Sequence, residues 1–447
     1  MLNVHLFIIY GCNLKLKVGD NLKILYLTTV FPPPEYGSTI YTDLAEELLN
    51  NDHYIKVVAL DGRHEFKKSS SNKERGIDVL RIKVGSLYNV SFIRKGLSAL
   101  TLKHKVIYAI NKFLKNEKFD FVLFETPPIT LIDIVMWLMR KYNCISFLML
   151  KDIFPQNAID LGILRKSNLI YWYFKYKEKL LYKNSTIIGC MSEMNRKYIL
   201  QNNSYINGNK VRIFLNTERN SLNTKIFSDF KMRKKLGISD DCVLAIYGGN
   251  LGKPQGLDFL LQIINEYKNN KIVMFLIIGK GSEKNRIYKY IDNNNLKNVV
   301  KLEFLPKEDY EKILVECDIG LIFLDNRFTI PNIPSRTLTY MNCCIPIMAA
   351  TDKNTDYYKM LTEANCGYCV LSGDINEYKR FFDKLINDKE LRIKLGNNGK
   401  EYFQKYLTSK VSVKILEDEL ELLINCKGYN TNLIKINSIK DKEDINV

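Results

Sequence analysis

At 447 residues the chain is long enough for two or three domains with sizeable cores, and its 46% hydrophobic content is that of an ordinary globular protein. A formal net charge of +17 favours polyanionic partners (nucleic acid, nucleotide-linked substrates or an anionic membrane surface), although the accompanying heavy use of Asn and Ile makes base composition an equal account of the lysines. No run reaches the ~18 uninterrupted apolar residues of a spanning helix, which excludes a helical membrane-spanning architecture.

Residues 1–22 carry no recognisable signal. The apolar run 4–10 is short and no small-residue cleavage site follows it, so no leader is expected. Residues 23–29 read as a strand, 31–38 as a loop, 40–49 as a helix and 54–60 as the next strand. Strands at 79–84, 121–124, 145–150 and 186–191 continue the series, with helical segments between them. A second series covers 243–246, 272–278, 299–304, 319–323, 345–349 and 368–371. Strands alternating with helices predict mostly parallel sheets covered on both faces, here as two α/β units with a hinge within 217–240. A run of helix over 392–424 closes the fold, and the polar tail from 427 onward is expected to be loose.

The ten cysteines are scattered through apolar runs, and Cys366-x-x-Cys369 has neither a second pair nor a nearby histidine. His5, His53, His64 and His104 show no ligand spacing, so no metal is expected and the thiols fit a cytoplasmic chain. Two stretches concentrate positive charge beside aromatics: seven Lys/Arg against two acidic residues in 91–120, and six against one in 161–185. The second, around Tyr171-Trp172-Tyr173-Phe174, reads either as an anionic membrane-surface contact or as a sheet-covering helix with a solvated lysine face.

The most informative stretch is Tyr247-Gly248-Gly249-Asn250-Leu251-Gly252-Lys253-Pro254-Gln255-Gly256-Leu257. A buried strand turning through glycines into a helix leaves backbone N–H groups free at the helix start, where a phosphate or diphosphate fits; a packing turn is the bland alternative. In open α/β sheets ligands sit outside the carboxyl ends of the strands, so the loops after strands hold the candidates. These are Phe31 to Gly37, Lys151-Asp152-Ile153-Phe154-Pro155-Gln156, Gly279-Lys280-Gly281-Ser282-Glu283-Lys284 and Pro334-Ser335-Arg336-Thr337. Backbone amides with Lys284 and Arg336 would hold a diphosphate without a metal.

The order and spacing of these motifs, with Ile345-Pro346-Ile347 and Ala364-Asn365-Cys366-Gly367-Tyr368, resemble family 4 glycosyltransferases of the GT-B fold over about residues 23–424. The subgroup most resembled builds bacterial O-antigen and capsule repeats and includes N-acetyl-L-fucosaminyl transferases. The resemblance implies two Rossmann-like domains facing across a cleft. It divides the chain into an N-terminal extension (1–22), an acceptor-binding domain (23–220), a nucleotide-sugar-binding domain (221–408), a closing helix (409–426) and a polar tail (427–447). Gly249, Asn250, Gly252 and Gln255 match the donor phosphate loop, with Lys253 beside them. Gly279, Gly281 and Lys284 match the second glycine loop, Phe304 and Leu305 the strand end near the base, and Pro334, Ser335, Arg336 and Thr337 the element at the diphosphate. Tyr36, Gly37 and Ser38 match the flexible loop at the reaction centre, and Asp152 the acidic residue near the acceptor or reacting sugar.

Gln255 stands where many members carry Lys, and Pro331 and Thr339 stand where they carry two glutamates eight positions apart, which leaves the ribose contact unassigned. Charge neutralisation then falls on Arg336, Lys284 and Lys253. The implied reaction moves a sugar, with retention of anomeric configuration, from a nucleotide-sugar (UDP by family habit) to a lipid-linked saccharide acceptor. No cofactor and no nucleic acid are expected. Asp152 reads as a base, as an acceptor-positioning group, or as a helix cap ahead of Pro155. A catalytically degenerate nucleotide- or glycan-binding subunit is the alternative. A Rossmann dehydrogenase fits poorly, because Gly248-Gly249-x-x-Gly252 lacks its three-glycine spacing and no acidic residue ends the next strand.

Overall fold

The computed structural model describes residues 21–61, 68–84, 92–220 and 232–423. Residues 1–20 of the extension, residue 91 and the side chains of 92–101 in the first basic stretch, 221–231 of the expected hinge, and the tail lie outside the described residues.

Eight strands form the first sheet: β1 (Lys23–Thr28), β2 (Tyr54–Asp61), β3 (Ser70–Glu74), β4 (Ile77–Lys83), β5 (Phe121–Thr126), β6 (Ile145–Leu150), β7 (Ile187–Cys190) and β8 (Val211–Ile213). Their order is β3-β4-β2-β1-β5-β6-β7-β8. Six form the second: β9 (Val243–Asn250), β10 (Val273–Lys280), β11 (Val299–Leu302), β12 (Ile319–Phe323), β13 (Ile347–Thr351) and β14 (Gly367–Leu371), in the order β11-β10-β9-β12-β13-β14. Every neighbouring pair is parallel except β3 with β4.

The apolar runs behave as strands buried on both faces. Every residue of β6 and β12 is buried, and alternate β1 residues enter opposite cores, Leu25 and Leu27 on one side and Ile24 and Tyr26 on the other. β3 was not expected. Its Ser-Ser-Asn-Lys-Glu sequence has no apolar alternation, and it pairs through a two-residue turn at Arg75 and Gly76, both with positive φ (53° and 79°).

Strand order reverses between β1 and β5 in the first sheet and between β9 and β12 in the second. Such switch points part the flanking loops and open a crevice at the carboxyl ends. The expected single helical run over 392–424 is two helices. The first, Lys389–Tyr406, ends before Leu407, and the second covers 409–423. Between them the chain returns to the first domain: Glu218 donates its N–H to the Leu407 carbonyl (3.0 Å) and accepts from Ser409 (3.1 Å). Val413, Leu416 and Leu420 then enter the first domain's core. In the other direction, Phe328 and Ile330 of the loop after β12 are buried in the first domain's second core cluster.

Candidate active site

A cleft of about 1000 Å³ lies between the two sheets. Its second-domain wall starts from the ends of β9 and β10. Gly248 and Gly249 are not part of the expected turn, which falls instead at Gly252 to Gly256. Gly248 and Gly249 stay in the ladder, opposite Ile278 and Gly279, and Asn250 opposite Lys280. A side chain is excluded for steric reasons. A Cβ on Gly279 would lie 1.9 Å from the Gly249 carbonyl oxygen, one on Gly281 2.3 Å from that of Leu251, and one on Gly248 2.0 Å from the Tyr310 hydroxyl. Gly249 has φ +129°, and Gly256, at φ +55°, starts the helix Leu257–Glu266. Two bare backbone edges therefore face the cleft side by side, the surface a diphosphate can approach closely.

Arg336 begins the helix Arg336–Asn342 and crosses to these edges. Its guanidinium lies 4.4 Å from the Tyr247 ring centroid and donates to the Gln255 side-chain oxygen. Its Nη1 is shut away from solvent without a hydrogen-bond partner. A half-buried, incompletely paired guanidinium beside backbone bare of side chains is a site for an anion. The cleft also takes in Tyr36 and Ser38 from the loop after β1, Asp152 after β6, and Gly249, Asn250, Gln255, Gly279, Leu305, Ser335 and Thr339.

Other expected residues do not line it. Gly37 turns the loop at φ 83°, with its carbonyl held by Arg75. Gly252 packs beneath the Asn250 amide, and Gly281 lies against Leu251. Thr337 is buried and hydrogen-bonds the Tyr357 hydroxyl at 2.7 Å. Lys253 is exposed on a short 3-10 turn. Lys284 is turned into an ion pair with Glu303, its Nζ 5.3 Å from the Tyr288 ring centroid. The neighbouring cation that does line the cleft is Lys280, with Nζ 3.9 Å from the Phe304 ring centroid.

Three charged groups escaped the sequence reading. Glu218, on the way out of the first domain, lines the cleft and accepts from Thr339 Oγ1 at 3.0 Å, so a carboxylate stands beside position 339 although the residue there is Thr. Lys151 lines the cleft next to Asp152. Glu125, at the end of β5, is buried and accepts from Thr28 Oγ1 (2.9 Å) and the Thr29 N–H (2.8 Å). No spacing or motif marks either glutamate, and Lys151 stands in the Lys151–Gln156 candidate loop without a role of its own.

Burial pushes the Glu125 carboxyl up to about 7 and the Lys151 ammonium down to about 7. Burial also raises Asp152 to about 6, against the hydrogen bonds from the Ile153 N–H and the Asn157 amide that lower it. Asp152 caps no helix, because Gln156–Asp160 starts after Pro155 with no side-chain cap. Among the described residues no three His, Cys, Asp or Glu gather as a metal site, and no helix is long and apolar enough to cross a membrane.

Comparison with known proteins places this geometry. Residues 228–402 match the family described as glycosyl transferases group 1. An uncharacterized glycosyltransferase of Methanocaldococcus jannaschii is 23% identical over 262 residues, which cover 58% of this chain and 64% of that protein's length. The sucrose-phosphate synthase of Thermosynechococcus elongatus superposes with a TM-score of 0.71 at 13% identity, covering 90% of this chain and 99% of the other. HepE of Anabaena, solved in complex with UDP-glucose, superposes with a TM-score of 0.65 at 15% identity over the same shares of the two chains. The chain thus has the GT-B fold, and the stretch that holds its second sheet is similar to group 1 glycosyl transferases.

Proposed function

We propose that the protein is a retaining glycosyltransferase that moves a sugar from a UDP-sugar to a lipid-linked saccharide in bacterial surface-polysaccharide (O-antigen or capsule) synthesis. The observation that carries this reading is Arg336, held on Tyr247 and Gln255 beside the glycine edges of β9 and β10. Breaking an anomeric C–O bond leaves negative charge on the departing nucleotide diphosphate. Fixed amides and a half-buried guanidinium stabilise that charge without reorganising. Gly249, Asn250, Gly279, Ser335 and Arg336 hold the diphosphate, and Leu305 and Phe304 lie toward the base. Asp152 orients the acceptor hydroxyl or takes its proton. Glu218 with Thr339 is the group for the ribose. The resemblance to family 4 glycosyltransferases and the UDP-glucose complex of HepE support the donor assignment.

A membrane-bound acceptor requires a docking face, and the helix Leu169–Asn184 supplies one. Leu169 (84% exposed), Trp172 (61%) and Tyr176 (58%) project to solvent, with Arg165, Lys166, Lys179 and Lys183 exposed nearby. These side chains support a seat on the anionic cytoplasmic face of the plasma membrane.

Calorimetric titration with UDP, GDP, ADP and NAD, without added metal, tests the reading. One nucleoside diphosphate is expected to bind, with binding abolished in Arg336→Ala and turnover of the cognate donor reduced about 10²–10³-fold. Binding without turnover by the wild type would leave a nucleotide-binding subunit, and binding of none would remove the transferase assignment.

A further inference from the structure

Of the two first-domain cations that line the cleft, one is fully engaged. Arg81 gives Nε and Nη2 to Glu74 and Nη1 to the Phe31 carbonyl. Lys151 differs. Its Nζ lies 5.4 Å from the Phe214 ring centroid, and among the described residues it makes no hydrogen bond or ion pair. A half-buried lysine is ordinarily paired, because an ammonium without a partner bears its desolvation cost uncompensated. Glu125 acts on Lys151 electrostatically, but it spends one oxygen on Thr28 and Thr29 and leaves the other without a partner, so it does not close an ion pair.

The position of Lys151 restricts what it can serve. It follows β6 directly, beside Asp152, on the wall formed by the first sheet, whereas Arg336, Lys280 and the glycine edges belong to the second. Asn216, on the segment after β8, also lines the cleft, and its Oδ1 is buried without a partner. Among the described residues the first-domain wall thus holds the unpaired Lys151 cation, the unpartnered amide oxygens of Asn157 and Asn216, and the Asp152 carboxylate, a combination for a hydroxyl-bearing ligand that also carries an anionic group.

We propose that Lys151 receives an anionic oxygen group of the acceptor, a phosphate or a sugar carboxylate, so that the acceptor is anionic. The proposal rests on the transferase reading of the cleft and adds the charge of the acceptor to it. Ligation restores to Lys151 the charge that burial disfavours, and the Phe214 ring supports the ammonium from below.

The test uses full-length protein with UDP present and three probes observed by saturation-transfer NMR: methyl β-D-glucoside, methyl β-D-glucuronide, and N-acetylglucosamine linked through diphosphate to a short prenyl chain. Wild type is expected to bind at least one anionic probe about tenfold or more tightly over the neutral one. Whichever anionic probe is preferred identifies the source as carboxylate or phosphate. Lys151→Met removes the preference and leaves UDP affinity unchanged, and Lys151→Arg retains it. Equal binding of charged and neutral probes by wild type overturns the proposal even where the Met variant fails to fold. So does a Met variant that keeps the preference, which makes Lys151 a structural counter-charge to Glu125. Loss of UDP affinity in the Met variant reassigns Lys151 to the donor. Absence of UDP binding in wild type is a separate outcome that removes the transferase reading itself.

Discussion

Asp152 and Lys284 show how single charged residues divide between the legible and the illegible. Asp152 ends a strand ahead of a proline, and the structure sets it in the cleft with its carboxyl raised to about 6 by burial. A role that needs the ionised form predicts turnover that falls as pH drops through about 6, since the carboxylate is protonated below that value. Asp152→Asn is expected to lower turnover about 10²-fold, leave UDP affinity unchanged and abolish the limb near pH 6, as a pH–rate profile would show. A limb that persists in the variant belongs to another carboxyl group, such as Glu125, raised to about 7. The glycines were legible because close backbone contact forbids any other residue. Lys280 and Lys284 were not separable by sequence: β10 runs two residues past Ile278, which carries Lys280 to the cleft edge and leaves Lys284 to start a helix and meet Glu303. Lys151 and Glu218 depend on neighbours 26 and 121 residues away (Glu125 and Thr339), and no local pattern encodes such distances.

At the scale of elements, the apolar strands were readable because burial on both faces leaves continuous hydrophobic runs. Elements that lacked that signature were missed or merged: polar β3, three-residue β8, and the break at Leu407–Thr408 that splits one helical pattern into two helices serving different domains. The helix Leu169–Asn184 carries an apolar face that its own domain does not cover. Lys175 and Lys177 on it already pair with Glu178 and Asp133, so the proposed membrane contact falls to the aromatics and the remaining exposed cations. Replacing Leu169 and Trp172 together by Ala is expected to weaken sedimentation with phosphatidylglycerol vesicles about tenfold or more, with UDP binding unchanged. Unchanged sedimentation would return this helix to an ordinary solvated surface.

At the scale of the whole molecule, the two sheets do not own separate cores. Phe328 and Ile330 leave the second domain and fill the first. Phe328→Ala is therefore expected to destabilise the protein by about 3–5 kcal/mol, read from the midpoint of urea denaturation. The loss should fall on the first domain's transition where two transitions resolve. The outgoing and returning connections are also joined, with Glu218 bonded on either side to Leu407 and Ser409. The lobes are therefore joined by a double strap rather than a thread, the outgoing and returning connections being bonded to each other. Because the side chain of that same Glu218 accepts from Thr339 inside the cleft, a single residue belongs both to the joint between the lobes and to the wall of the cleft.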